Sequence, residues 1–151
     1  MAQTTAERTP YCFLVTASPS PWPTARWVEP IVEDDFHFYL GTHPESRKVA
    51  EITSNPAVTL AFGNEREHAN LVVYGTAMVH HELSIRQRYW KNAWRMFFPQ
   101  GPEGDDYCVI KVQTEKIELL SFSRNVIPEP FGLRPVVLER EGQGWKMTVL
   151  S

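Results

Sequence analysis

Apolar and polar positions alternate in short runs along most of the chain. That period puts one face of a β-strand in a core and the other in water. "YCFLVTAS" is such a run, stopped by the Pro/Ser turn "SPSPWP". "TARWVEPIV" is extended again, and "EDD" turns it into "FHFYLG", where Phe36, Tyr39 and the neighbouring aromatics favour a strand. "AVTLAF" and "LVVYGTAMVHH" read as strands joined by the polar turn "GNEREHAN". Gly75 inside the second of these marks a bulge or a close backbone approach. "YCVIKVQ" and "KIELLSF" read as two strands with Thr114 and Glu115 between them, and "RPVVLEREGQGWKMTVLS" as a hairpin turning at "EGQG".

Two stretches carry a helical period instead. In "PESRKVAEITSN", Pro44 suits a first turn, Val49 and Ile52 share a face, and Asn55-Pro56 is a stop signal. A second helix is predicted from Ser84, which forms a capping box with Gln87. Ile85, Tyr89, Ala93 and Phe97 would be its buried stripe, with Trp90 and Trp94 beside it. The pattern predicts a mainly β fold: six or more short antiparallel strands, most simply a small barrel with helices on its flanks.

Length and composition narrow the function classes. The chain has 151 residues, one domain's worth, and is 42% hydrophobic and 22% charged, as ordinary globular proteins are. A formal net charge of -3 gives no basic excess for nucleic acid or an anionic membrane. No apolar run approaches the ~20 residues of a membrane span. The opening "MAQTTAERTP" lacks a signal peptide's apolar core, so a cytoplasmic location is expected. There Cys12 and Cys108, both in apolar runs, are expected as buried free thiols.

Side chains alone offer little catalysis. Glu33, Asp34 and Asp35 read as a solvated turn, since no further metal-like spacing accompanies them. None of the five histidines has the i, i+4 pairing of a helical zinc site, and no Gly-x-Ser-x-Gly elbow or Cys-x-x-Cys motif occurs. Any reactive atoms should belong to a cofactor, with no metal. Ser46-Arg47-Lys48, where a strand hands over to a helix, is the feature that suggests one. Helix N-terminal N–H groups attract phosphate, Arg47 adds a planar fork, Lys48 a point charge and Ser46 a hydroxyl. The bland alternative is a pair of exposed helix cations, placed against the helix dipole.

The segments "ARWV", "FYLGTHPESRKVAEI", "SNPAVTLAF" and "VVYGTA", in that order between Arg26 and Gly75, resemble the pyridoxamine 5′-phosphate oxidase-like family of FMN-binding split barrels. "WKNAWRMFFPQGPEGDDYCVIKV" is similar to its general stress protein branch, and "GWKMTVLS" to the oxidase's C-terminal strand. The resemblance implies one split-barrel domain over 1–151, about six antiparallel strands, with a hairpin extension from about residue 122. It implies an FMN cofactor, with FAD or a deazaflavin as alternatives, held between the subunits of a homodimer.

The implied roles fall on particular residues. Arg26, Arg47 and Lys48, with Ser46, would meet the phosphate, and Gly41 and Thr42 would touch the cofactor. The backbone of Trp27, Val28 and Glu29 would run along the isoalloxazine, and Asn70 would reach it across the dimer. The oxidase's substrate end is not matched. Ile31 stands where a lysine is expected, Phe131 to Leu133 where an arginine and a histidine are expected, and Leu120 where a tryptophan contacts the flavin. Arg124 and Arg134 lie close enough in sequence to substitute. Three readings follow: a flavin-dependent oxidoreductase using NADH or NADPH on a small, weakly polar substrate; a non-catalytic flavin-binding stress protein; or a dimeric interaction module that has lost flavin.

Overall fold

The computed structural model describes residues 1–127 and 134–149. Along them run α1 (Ala2–Glu7), β1 (Cys12–Thr16), β2 (Thr24–Val28), β3 (Ile31–Val32), β4 (Phe38–Thr42), α2 (Arg47–Ser54), β5 (Ala57–Asn64) and β6 (Ala69–His80). There follow α3 (Leu83–Arg88), a 3-10 turn (Asn92–Met96), β7 (Cys108–Ser121), β8 (Val136–Glu141) and β9 (Gly144–Val149). None of these helices is long and apolar enough to cross a membrane.

The strands form one antiparallel sheet in the order β2-β1-β5-β6-β7-β4-β3. Only Glu29 and Pro30 separate β2 from β3, the two ends of that order, so the sheet curls until its edges meet. Pro30 has no N–H for a ladder, and its position marks the interruption. The barrel is split along β7: residues 108–112 pair with β4, while residues 116–119 pair with β8 of the terminal hairpin. The expected mainly β split barrel is therefore present, with β1, β2, β4, β5, β6 and β7 as its main strands before the terminal hairpin of β8 and β9.

Alternation fills the interior as the pattern predicts. Val58, Leu60 and Phe62 of β5 and Leu71, Val73 and Ala77 of β6 point inward with Leu14, Phe38 and Leu40. A second apolar cluster lies outside the barrel, where Tyr39, Tyr89, Phe98, Tyr107 and Val109 gather. Trp90 and Trp94 both pack against it.

Four elements differ from the sequence expectation. The two strands divided at Thr114-Glu115 are one strand, β7, in which the register shifts opposite Tyr74 and Gly75. Buried positions run 110, 112, 114 before the shift and 117, 119, 121 after it, so the inserted residue flips the phase. Gly75 has both expected roles: it sits at the bulge, and a Cβ there would come within 2.3 Å of the Gln113 carbonyl oxygen. Thr114 is satisfied off the ladder: its N–H donates to His37 Nδ1 at 3.1 Å, its carbonyl accepts from Arg140 Nε at 2.7 Å, and its hydroxyl donates to the Phe36 carbonyl.

Phe36 does not begin a strand. It takes a left-handed φ of 63° in the turn, which drops its ring into the core edge-on to Phe38. The long second helix is instead the short α3 followed by the 3-10 turn, and Glu82 rather than Ser84 is its N-cap, with no capping box. Tyr89 is buried as expected, but Phe97 of the predicted stripe is 66% exposed and Phe98 takes the interior place. α1 was not expected; it seats Ala2, Thr5 and Ala6 against the barrel.

Cys12 and Cys108 are free and buried, as expected. Phe131 to Leu133, where the oxidase's arginine and histidine are expected, lie outside the described residues.

Candidate functional site

α2 begins at Arg47 rather than at Pro44, with Ser46 as N-cap. The Ser46 hydroxyl makes no cap bond and instead lies 3.2 Å from Thr42 Oγ1, so the helix start keeps uncapped N–H groups. Lys48 Nζ donates to the same Thr42 hydroxyl at 2.8 Å. Arg26 reaches in from β2, its Nη1 donating to Thr16 Oγ1 at 2.7 Å and its Nη2 lying 3.4 Å from Glu51 Oε1. Arg47 Nε is 3.3 Å from the same Glu51 oxygen, and the Thr16 hydroxyl donates to the other at 2.7 Å. Arg26 and Arg47 thus share one carboxylate while Lys48 stands close enough to Arg26 to feel its charge, so three cations face a single Glu51 and two positive charges are left uncompensated.

Titration directions follow that crowding. Burial lowers the Lys48 ammonium, and the Arg26 charge lowers it further. Burial likewise lowers Arg26, with Glu51 opposing and Arg47 adding to the effect. Burial pushes the Glu51 carboxyl up, but hydrogen bonds from Thr16 and Thr24 and the charges of Arg26 and Arg47 overcome it, so it ends below its ordinary range. Burial and neighbouring cations thus disfavour the charged forms of Arg26 and Lys48, and an anion beside them would offset that cost.

A cleft of about 510 Å³ opens beside the cluster. Arg26, Trp27, Val28, Glu29, Gly41, Thr42 and Lys48 all line it, so seven of the ten residues named from sequence come together there. Gly41 allows the far wall: a Cβ there would come within 2.6 Å of the Trp94 ring. Arg47 lies instead on an adjoining groove of about 870 Å³ that also includes Glu51. Asn70 is on neither. It pairs in register with Leu120, and the two line a separate shallow groove with Phe122.

Sequence reasoning missed several residues. Glu51 sits at i+4 from Arg47, a visible helix pairing, but its buried contact with Arg26 spans 25 positions and is tertiary. His43 lines the cleft with its Nδ1 accepting the Glu45 N–H at 3.1 Å, which leaves Nε2 as the protonated nitrogen in the neutral ring. Tyr11, Trp94, Phe97 and Phe98 supply an aromatic wall from segments distant in sequence. Ile31, at the oxidase's lysine position, packs on the second apolar cluster. Arg124 is held by Glu67 and the Met1 carbonyl, so it is committed elsewhere.

Comparison with known proteins agrees with the fold. The family model described as pyridoxamine 5′-phosphate oxidase matches residues 2–121. No curated protein matches the sequence. General stress protein 26 of Bacillus anthracis superposes with a TM-score of 0.70 at 23% identity, over 79% of this chain and 90% of that one. A pyridoxamine 5′-phosphate oxidase-related, FMN-binding protein of Nostoc punctiforme gives 0.76 at 15% identity, over 99% and 93%. PhzG of Burkholderia lata, solved with tetrahydrophenazine-1-carboxylic acid, gives 0.72 at 18%, over 99% and 87%. At these identities the likeness shows the shared split-barrel fold.

Proposed function

Because the chain belongs to the pyridoxamine 5′-phosphate oxidase family, we propose that its cleft binds a flavin nucleotide, FMN, and that it is a flavin-dependent oxidoreductase. The observation that carries this reading is the cationic cluster. Arg26, Arg47 and Lys48 against the single carboxylate of Glu51 leave a charge of the size a phosphate monoester brings. When bound, the flavin supplies hydride-transfer chemistry. The chain's residues hold and orient it: Ser46, Arg47 and Lys48 at the phosphate, Gly41 and Thr42 alongside, and the backbone of Trp27, Val28 and Glu29 along the ring.

Asn70 supports an assembly in which the flavin lies between two copies. Asn70, which the resemblance places on the flavin across the dimer, shares one groove away from the cleft with Leu120, which stands at the position of a flavin-contacting tryptophan. Tyr11, Phe13 and Trp27 form an exposed aromatic patch near the cleft, with Tyr11 and Trp27 rings 4.7 Å apart. A second copy would cover it. The aromatic wall of Trp94, Phe97 and Tyr11 favours a weakly polar substrate over a phosphorylated vitamin, and Ile31 and Arg124 give no second phosphate site.

Fluorescence titration with FMN tests the cradle. Lys48→Ala and Arg47→Ala should each weaken binding by about 1.5–3 kcal/mol, roughly ten- to a hundredfold in Kd. Unchanged affinity in both would remove the assignment, and light scattering on the same samples reports whether the loaded protein is dimeric. Anaerobic reduction by NADH or NADPH, followed by reoxidation with candidate acceptors, separates an oxidoreductase from a cofactor store.

A further inference from the structure

The terminal hairpin of β8 and β9 is lightly fastened to the barrel. β8 pairs with β7 over residues 116–119 only, and among the described strands β9 pairs with β8 alone. Val137 is buried, and Leu138 and Trp145 pack against the main core. The seam beside them is not filled. A cavity of about 330 Å³ is lined there by Gln3 of α1, by Asp34 and Asp35 of the turn before β4, and by Arg140, Gln143 and Trp145 of the hairpin. No residue of the hairpin lines the cleft.

The polar contacts that close this seam meet at Thr114. From the hairpin, Arg140 donates from Nε to the Thr114 carbonyl at 2.7 Å and from Nη2 to the Asp35 carbonyl at 3.2 Å. Its guanidinium lies 4.4 Å from the centre of the Trp145 ring, and Trp145 stands edge-on to Phe36 with ring centres 6.2 Å apart. From the other side, His37 Nδ1 accepts the Thr114 N–H at 3.1 Å. Asp35 Oδ1 accepts the His37 backbone N–H at 3.0 Å, and its Oδ2 lies 3.9 Å from His37 Nε2. The bond at Nδ1 requires a neutral ring with its proton on Nε2.

We propose that the hairpin is a strap released by acid: a proton taken up by His37 frees β8 and β9 while the barrel stays folded. The charged imidazole carries a hydrogen on Nδ1, so two donors then face each other across the Thr114 contact. Burial disfavours that charged ring; Asp35 of its own turn favours it, and Arg140 of β8 and Lys111 of β7 disfavour it further. Arg140 is also the side chain that clamps the hairpin, so the new charge repels the clamp. Opening the strap removes Arg140 and admits water, so the open form takes up the proton more readily than the closed one. Acid therefore shifts the balance towards the open form. Opening uncovers Val137, Leu138 and Trp145 and leaves residues 116–119 of β7 as an unpaired edge on that side.

Hydrogen exchange of the full chain, read by mass spectrometry and corrected for the intrinsic effect of pH, tests the strap. The measurement runs at about pH 7.5 and about pH 5, on either side of the ordinary imidazole value of about 6.5. Protection of residues 136–149 should fall about tenfold on acidification, while that of β5 and β6 holds. His37→Asn accepts the same N–H and does not titrate, so its hairpin should stay protected at both pH values. Asp35→Asn removes the carboxylate that favours the charged ring, so it should move the loss to lower pH. Hairpin protection that does not change with pH in the unmodified chain would overturn the inference. So would an equal loss in His37→Asn, or a matching loss in β5 and β6, since the whole domain would then be unfolding.

Discussion

Replacing Glu51 with Gln should separate the structural role of the cationic cluster from the proposed flavin-binding one, because stability and ligand affinity should move in opposite directions. Glu51 is the counter-ion of Arg26, whose side chain is 16% exposed, while that of Glu51 is 5% exposed. Gln preserves the shape and can still accept the Thr16 hydroxyl, but it leaves the Arg26 charge unpaired. Breaking a buried pair costs about 3–5 kcal/mol. Here solvent reaches the groove that Glu51 lines, so a cost of about 2–3 kcal/mol is the better figure. For a chain of this size that lowers Tm by roughly 5–10 °C.

The site itself gains a positive charge, so FMN affinity should hold or rise in the variant, and saturating FMN should close part of the Tm gap. The pH dependence supplies a further readout. The Glu51 carboxyl sits below its ordinary value of 4.5, so its contribution is present above that pH and is lost as pH falls through the folded value. That acid-side loss should be missing in Glu51→Gln. Thermal melts with and without FMN across acidic pH, together with a titration, measure all three. A variant with wild-type Tm, or one whose FMN affinity falls along with its stability, would refute the counter-ion role.

Other expectations follow from single contacts. Gly75→Ala drives a Cβ against the Gln113 carbonyl and should cost about 1–3 kcal/mol in a denaturant melt; an unchanged midpoint would mean that the bulge moves freely. Burial, followed by the charges of Arg140 and Lys111, lowers His37 below its ordinary 6.5 despite Asp35. Its contribution is therefore complete above that pH and falls as pH drops through it towards the folded value. His37→Asn can accept the Thr114 N–H without titrating, so it should flatten the Tm profile below pH 6.5, and an unaltered slope would contradict this. Burial pushes the Cys12 thiol to about 12 and the Cys108 thiol to about 11. Iodoacetamide should accordingly label the native protein at least about a hundredfold more slowly than the unfolded chain; comparable rates would show the thiols to be accessible.

Much of the barrel was legible because strand alternation is a local signal. Val58, Leu60 and Phe62 must share a face whatever surrounds them, and Asn55-Pro56 ends a helix by its own backbone restrictions. The Ser46-Arg47-Lys48 junction was legible for the same reason, since a helix start and its side chains are adjacent in the chain. The misreadings arose where a distant partner overrode the local preference. Thr114 looked like a break, yet β7 runs through it because His37, Phe36 and Arg140 satisfy its polar groups from outside the ladder. Phe36 has strand propensity, but its ring gains more from the core beside Phe38 than its backbone loses in the left-handed region. The helical stripe at Phe97 failed because the second cluster around Tyr107 draws in Phe98.

The class of fold, the strand-to-helix junction and the cations at it are legible locally, because each depends on neighbours a few residues apart. Tertiary packing alone sets that Glu51 neutralises Arg26, that Trp94 packs against Gly41 in the cleft wall and that Asn70 stands away from the cleft. Those depend on how far the sheet curls, and that curl is the sum of many packing contacts that no single stretch of chain encodes.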